Sequence, residues 1–326
     1  MFGVFTDRMS GRILIIRGGA IGDFILTLPV FAALRANLPA AKLHVLGYTR
    51  VTQLALASGL VDEIRPIESR ALAGFFARNG SLTPELQEYF ASFAVIVSYL
   101  YDPDGFFQSN VARCSKAQFI VGPHRPDDAA KIHASDVLLK PLERLAIFGA
   151  NPVPRLPLSP LVSSPIPRLS FHPGSGSERK NWPEPNWAAL LKHLIDRTNA
   201  NLLLVGGEAE GNRLERLAAG LPRSRVEIAL NRPLTDLAAR LSTCAGFAGH
   251  DSGITHLAGA LGLPGLVLWG ETVREVWAPG NPGLQILSGM NGLAGLTVEN
   301  VFSRVEKLLE PKSRQDTLSP GSPSPR

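Results

Sequence analysis

The sequence predicts an α/β fold made of two Rossmann-like domains whose parallel sheets face each other across a cleft. Three observations lead there. Short β-branched runs alternate with amphipathic helical patterns, the signature of parallel strands joined by crossover helices. The alternation occurs as two series with a proline-rich stretch between them. At 326 residues and 45% apolar content, the chain is long enough for two domains of ordinary size, each with its own core.

In the first series the strands read Arg12–Arg17, Lys42–Gly47, 93–99 and Gln118–Val121. After the first of them, Phe24, Leu28, Phe31, Leu34 and Leu38 recur at spacings of three and four, which gives a helix one apolar face. Pro29 should bend that helix locally. Residues 149–167 hold six prolines and form the linker candidate.

The second series places strands at 168–171, 201–205, 226–229, 246–249, 265–269 and Leu284–Leu287. Between them lie helical patterns on Trp187, Leu190, Leu191 and Leu194, on Leu234, Leu237, Ala238 and Leu241, and on Ile254, Leu257, Ala258 and Leu261. The expected domains are therefore residues 1–160 and 161–310. Residues 311–326, rich in Ser and Pro and poor in apolar side chains, are expected to be a disordered tail.

Composition removes several function classes. No run of apolar residues is long enough for a membrane span or a signal peptide, so a cytoplasmic protein is expected. The two cysteines, Cys114 and Cys244, lie far apart with no histidine cluster beside them, which argues against a disulfide framework and a zinc site. The formal charge is +5, yet residues 1–165 carry 16 basic and 13 acidic side chains and residues 166–310 carry 14 of each. So mild an excess is ordinary, and no nucleic-acid partner is expected.

Ligands of such sheets bind beyond the carboxyl ends of the strands, so the chemistry is sought in those loops. The first reads Gly18-Gly19-Ala20-Ile21-Gly22-Asp23. Gly19 and Gly22 allow close backbone approach at a helix start. Asp23 is placed to take a proton from an attacking hydroxyl, although a carboxylate there also serves as a helix cap. The loop does not match the dinucleotide fingerprint G-x-G-x-x-G, and the next strand ends in Gly47-Tyr48-Thr49 without a ribose-binding acid.

The second loop, His172-Pro173-Gly174-Ser175-Gly176-Ser177, is followed by Arg179, Lys180, Asn181 and Trp182. Amides, the Ser175 and Ser177 hydroxyls and the Lys180 cation suit a diphosphate leaving group. A solvated Arg-Lys pair on a surface loop is the competing reading.

The third, Gly249-His250-Asp251-Ser252-Gly253-Ile254-Thr255-His256, runs from strand end to helix start. Asp251 or Ser252 would cap the helix, the Ser252 and Gly253 amides would hold phosphate, and Asp251 and His256 would reach sugar or phosphate. In the fourth, Gly206-Gly207-Glu208, the carboxylate of Glu208 could hold a ribose diol or complement a helix start. Asp102-Pro103-Asp104 resembles a metal motif but has no partner carboxylates nearby, and Pro103 favours a turn.

Taken in order, these motifs resemble the ADP-heptose:lipopolysaccharide heptosyltransferase family, glycosyltransferase family nine, over about residues 12–309. The carriers are Ile13-Leu14-Ile15-Ile16-Arg17 into Gly19-Ala20-Ile21-Gly22-Asp23, then His172-Pro173-Gly174-Ser175 with Lys180-Asn181-Trp182-Pro183, then Asp251-Ser252-Gly253 with His256-Leu257-Ala258. The resemblance implies a GT-B architecture, an inverting reaction needing no metal or other cofactor, a nucleotide-diphosphate-sugar donor held by the second domain, and a glycan or glycolipid acceptor. It also implies work at the inner-membrane surface, with peripheral contact there.

Carried over by position, Asp23 would be the general base, Lys180 would bind donor phosphates and Asp251 the donor sugar. Ser252, Gly253 and His256 would surround the diphosphate, and Glu208 would hold the ribose. The chain departs from the family pattern at Tyr101-Asp102-Pro103-Asp104-Gly105-Phe106-Phe107, where an Asp-rich or Gly-Leu segment is usual. Two alternatives remain at this level: an NAD(P)-dependent oxidoreductase using the first loop, and a non-catalytic nucleotide-sugar-binding protein that would have no need of Asp23.

Overall fold

The computed structural model describes residues 11–158, 165–290 and 292–310. The expected tail, 311–326, lies outside the described residues.

In the first half, β1 (Arg12–Arg17), β2 (Lys42–Gly47), β3 (Glu63–Pro66), β4 (Phe93–Ser98) and β5 (Gln118–Val121) form a parallel sheet in the order β3-β2-β1-β4-β5. Its helices are α1 (Ile21–Ile25), α2 (Leu28–Asn37), α3 (Thr49–Ala57), α4 (Pro84–Ala91), α5 (Phe106–Ala112) and α6 (Ala134–Leu139). Ile13 to Ile16 are all fully buried because helices cover both faces of the sheet, which is why β1 reads as a continuous apolar run rather than an alternating one.

The second half holds β6 (Arg168–His172), β7 (Asn201–Gly206), β8 (Val226–Leu230), β9 (Gly246–His250), β10 (Gly265–Leu268) and β11 (Leu284–Leu287), parallel in the order β11-β10-β9-β6-β7-β8. Around it pack α7 (Glu184–Arg197), α8 (Arg213–Ala218), α9 (Leu234–Leu241), α10 (Gly253–Ala260), α11 (Arg274–Trp277) and α12 (Val298–Glu306). In each sheet the strand order reverses once, between β1 and β4 and between β6 and β9. Such switch points open a crevice at the strand carboxyl ends, and the first three loops singled out from sequence leave from β1, β6 and β9.

The two halves are packed together. α1 lies on α10 and α3 on α9, and one apolar cluster runs from Ile15, Phe24 and Val51 through to Leu237, Ala238 and Leu257. On another side the contacts are polar: Trp277 Nε1 donates to Asp128 Oδ1 at 2.5 Å, the Arg125 guanidinium lies over the Trp277 ring, His133 Nε2 meets the Ala278 carbonyl at 2.8 Å, and Lys131 pairs with Glu275.

One sequence expectation is corrected and two features are added to the reading. Pro29 does not bend one helix; the chain breaks at Leu26 and Thr27, and Pro29 sits in the first turn of α2, where its missing N–H costs nothing. The edge strand β3 was not anticipated, since its four residues include Glu63, Arg65 and Pro66 and are only half-buried. Part of the proline-rich stretch is fastened rather than free: Leu156 is buried and its N–H donates to the Ala260 carbonyl at 2.8 Å.

Candidate functional site

At the end of β1 the backbone turns through Gly19, whose φ of 100° lies in the left-handed region and whose missing Cβ leaves room for Asp23 Oδ2. Asp23 then occupies the first turn of α1. Its Oδ2 accepts from the Ala20 N–H at 2.9 Å, and its Oδ1 lies 3.7 Å from the Arg17 guanidinium. The helix-cap reading and the cleft-carboxylate reading therefore both describe this side chain, which remains 30% exposed toward a cavity.

Arg17 is 3% exposed and donates to the carbonyls of His124 and Asp23. Burial lowers its pKa, opposed by Asp23 and Tyr99. A guanidinium so held keeps the carboxylate in one orientation.

Across the cleft, the loop after β6 is set by a buried polar network that sequence reading missed. Glu210 is 7% exposed and its Oε2 accepts from the Gly207 N–H at 2.6 Å. A Cβ on Gly174 would fall 1.9 Å from Glu210 Oε1, so a side chain there would displace the Glu210 carboxylate. Arg213 Nη2 donates to both carboxylate oxygens of Glu178, at 2.6 and 2.8 Å, and Nη1 donates to the Pro173 carbonyl. His250 Nε2 accepts from the Trp182 N–H at 2.7 Å, which leaves the proton on Nδ1 to be donated to the Gly174 carbonyl at 3.2 Å.

Burial holds both histidines neutral. His250 is pushed down to about 4, with the Gly174 carbonyl opposing, and His172 to about 3, helped by His250 and Arg213. The signal for this network was present only as spacing after β7, where Glu210 lies two residues beyond the singled-out Glu208, on a turn that points it inward while Glu208 stays exposed.

The residues expected to act on a donor gather around this loop. Lys180 Nζ reaches Asp251 Oδ2 at 3.1 Å, and the same oxygen accepts from Thr272 Oγ1 at 2.6 Å. Ser252, rather than Asp251, caps α10: its hydroxyl accepts from the Thr255 N–H at 3.3 Å and lies 3.1 Å from His172 Nδ1. His256 is 6% exposed, pressed against Gly22 of the first half. Its pKa is lowered by burial and further by His133, with Asp251 and Asp23 opposing. The Ser175 hydroxyl has two acceptors in reach, the Ser177 carbonyl at 3.0 Å and Asn181 Oδ1 at 2.8 Å.

Two adjoining cavities run along the seam between the halves. The first, about 810 Å³, is lined by Gly19, Asp23, Ser177, Lys180, Asp251 and His256, together with Arg125, Arg179 and Trp277. The second, about 750 Å³, is lined by Glu208, Glu210, Asn231, Pro233 and Leu234. Gly22, Ser175, Ser252 and Gly253 line both. Asp23 and the Lys180–Asp251 pair thus share one cavity, while Glu208 stands apart in the other.

Asp102-Pro103-Asp104 forms a turn. The Gly105 N–H donates to the Asp102 carbonyl at 3.1 Å, and the Asp102 carboxylate accepts from the first amides of α5. Among the described residues no group of three or more His, Cys, Asp or Glu side chains could hold a metal ion.

Known proteins resemble this chain in sequence and in fold. The sequence profile of glycosyltransferase family 9 (heptosyltransferase) matches residues 149–301. Lipopolysaccharide heptosyltransferase 1 of Pseudomonas aeruginosa is 37% identical over 106 residues, 32% of this chain and 29% of that protein. The protein of the same name from Salmonella typhimurium is 28% identical over 141 residues, 43% of this chain and 44% of that protein. The matched stretches thus span less than half the length of these relatives.

The structure of E. coli ADP-heptose LPS heptosyltransferase II superposes with a TM-score of 0.74 at 18% identity, covering 91% of this chain and 98% of that one. The likeness extends over both halves and shows a shared GT-B fold. The stretch that the family 9 profile matches, residues 149–301, carries the His172, Lys180 and Asp251 loops.

Proposed function

We propose that the protein is an inverting, metal-independent glycosyltransferase that moves a sugar from a nucleotide diphosphate, ADP-heptose, onto a hydroxyl of a lipopolysaccharide-core or related glycan. The observation that carries this reading is the placing of the Asp23 carboxylate and the Lys180–Asp251 pair in one cavity, on opposite sides of the seam. Asp23 takes the proton from the acceptor hydroxyl while its oxygen forms a bond to the anomeric carbon. The bond from that carbon to the diphosphate oxygen breaks, and ADP leaves with the electron pair. One base facing one leaving-group site is the arrangement of a single displacement, which inverts the anomeric centre.

The departing charge is met by Lys180, which keeps two N–H donors beside the one given to Asp251, and by the amides at the start of α10. Asp251 is also positioned for the donor sugar, and Ser175, Ser177, Ser252, Gly253 and His256 border the diphosphate. Glu208, on the second cavity, suits the ribose.

We assign residues 1–160 to the acceptor side and 161–310 to the donor side. No helix among the described residues is long enough and apolar enough to cross a membrane. A cytoplasmic enzyme meeting a membrane-held acceptor peripherally accords with that.

The test is transfer from ADP-heptose with Asp23→Asn and Asp23→Ala alongside the wild type. Turnover is expected to fall by about 10²- to 10⁴-fold with ADP affinity retained. Unchanged turnover would remove Asp23 as the base.

A further inference from the structure

The second cavity is not built by the donor half alone. Arg50 and Gln53 of the first half line it, facing Glu208, Asn231, Arg232, Pro233 and Leu234 of the second. The two sit three residues apart on α3, so their side chains leave the same side of the helix. The other face of α3, with Val51, Thr52, Leu54 and Ala55, is buried, and α3 packs against α9. Packing therefore fixes the height at which Arg50 and Gln53 enter the cavity. Both are exposed, and neither side chain bonds another described residue.

The division between the two cavities says which part of a nucleotide these residues meet. Ser175, Ser252 and Gly253 line both cavities, so a diphosphate held by them spans the junction. Its sugar end then points toward Asp23 and Asp251, and its nucleoside end toward the second cavity. Pro233, Leu234 and Ile254 offer apolar surface there for the flat face of a base. A planar guanidinium is suited to lie over an aromatic face and to donate in that plane.

Resting on the donor chemistry proposed above, we infer that Arg50 and Gln53 complete the nucleoside subsite, so that the bound nucleotide is gripped by both halves at once. Arg50 contacts the base and ribose, and Gln53, with a donor and an acceptor on one amide, contacts a polar edge of the nucleoside. Binding of the nucleotide consequently ties α3 to the loop before α9, which adds a ligand bridge to the packed seam.

The experiment is calorimetric titration of wild type, Arg50→Ala, Gln53→Ala and Lys180→Ala with ADP, and with AMP in competition against ADP. Arg50→Ala is expected to weaken ADP and AMP by the same factor, about tenfold, because both carry the nucleoside. Lys180→Ala is expected to weaken ADP more than AMP. Gln53→Ala should follow Arg50→Ala with a smaller factor. ADP affinity within twofold of wild type in Arg50→Ala, with Lys180→Ala impaired, would overturn the assignment of Arg50 and leave the donor reading intact. So would an Arg50→Ala loss confined to ADP, which would place the guanidinium on phosphate. If wild type binds neither ADP nor AMP, the donor reading falls and this inference with it.

Discussion

Gly22 and Gly253 meet across the seam between the two halves. A Cβ on Gly253 would lie 3.0 Å from the Gly22 backbone nitrogen and 2.7 Å from the Ile21 Cβ, and a Cβ on Gly22 would lie 3.2 Å from the His256 ring. Each glycine begins or nearly begins its helix, so their missing side chains let α1 and α10 touch with their first turns. Those first turns border both cavities.

Gly253→Ala should therefore push α1 from α10. Overpacking of this kind costs about 1–3 kcal/mol, read as a lower urea midpoint, and transfer activity should drop with it. A variant with wild-type midpoint and turnover would mean that the seam yields without consequence for the site.

Gly174 and Glu210 define a second tight approach. Gly174→Ala places a methyl into the Glu210 carboxylate, so ADP affinity should fall at least tenfold through displacement of the His172–Ser177 loop. Combining it with Glu210→Ala relieves the clash, and the double variant should lose less stability than the two single losses added. Simple additivity in a double-mutant cycle would argue that the contact does not set the loop.

Lys180→Ala should lower turnover by about 10²- to 10³-fold, the scale on which a single charge-stabilising group acts in a transition state. Transfer by the wild type should be the same with and without EDTA, because the proposed leaving-group site uses a lysine and helix amides. Loss of transfer in EDTA, restored by added magnesium, would replace that mechanism with a metal-assisted one.

Stability should fall on mild acidification. His172 and His250 titrate in the fold at about 3 and about 4, below the ordinary 6.5. As pH falls below 6.5 the unfolded chain binds protons that the folded chain refuses, so stability held above that value is lost progressively toward the folded values. These two rings contribute up to about 2.7 kcal/mol per pH unit between pH 6 and 4.5, and the buried His256, lowered in the same way, steepens the slope further. His250→Gln should flatten it by about a third. Urea unfolding across that range measures the slope; a flat profile in the wild type would mean that the two rings are protonated in the fold.

Much of this molecule was legible before folding was considered. Fully covered parallel strands need continuous apolar runs, so β1, β4 and β7 announce themselves in sequence, and the glycine-rich loops after β1 and β6 line the cavities. Short edge strands such as β3 lack that signal because half their surface meets water. The local chain also named Asp23, Lys180 and Asp251, since each lies a few residues beyond a strand end.

Tertiary structure decided what those residues meet. Asp23 faces Arg17 through a turn that only Gly19 permits, Lys180 meets Asp251 from 71 residues away, and His250 supports Gly174 across 76. Arg50 enters the second cavity only because α3 packs on α9, a contact between halves that no local pattern encodes. Periodicity and turn chemistry act over a few residues and so are written in the sequence. The juxtaposition of charges across a cleft depends on how two sheets and their helices pack, and burial then sets which of those groups stay neutral.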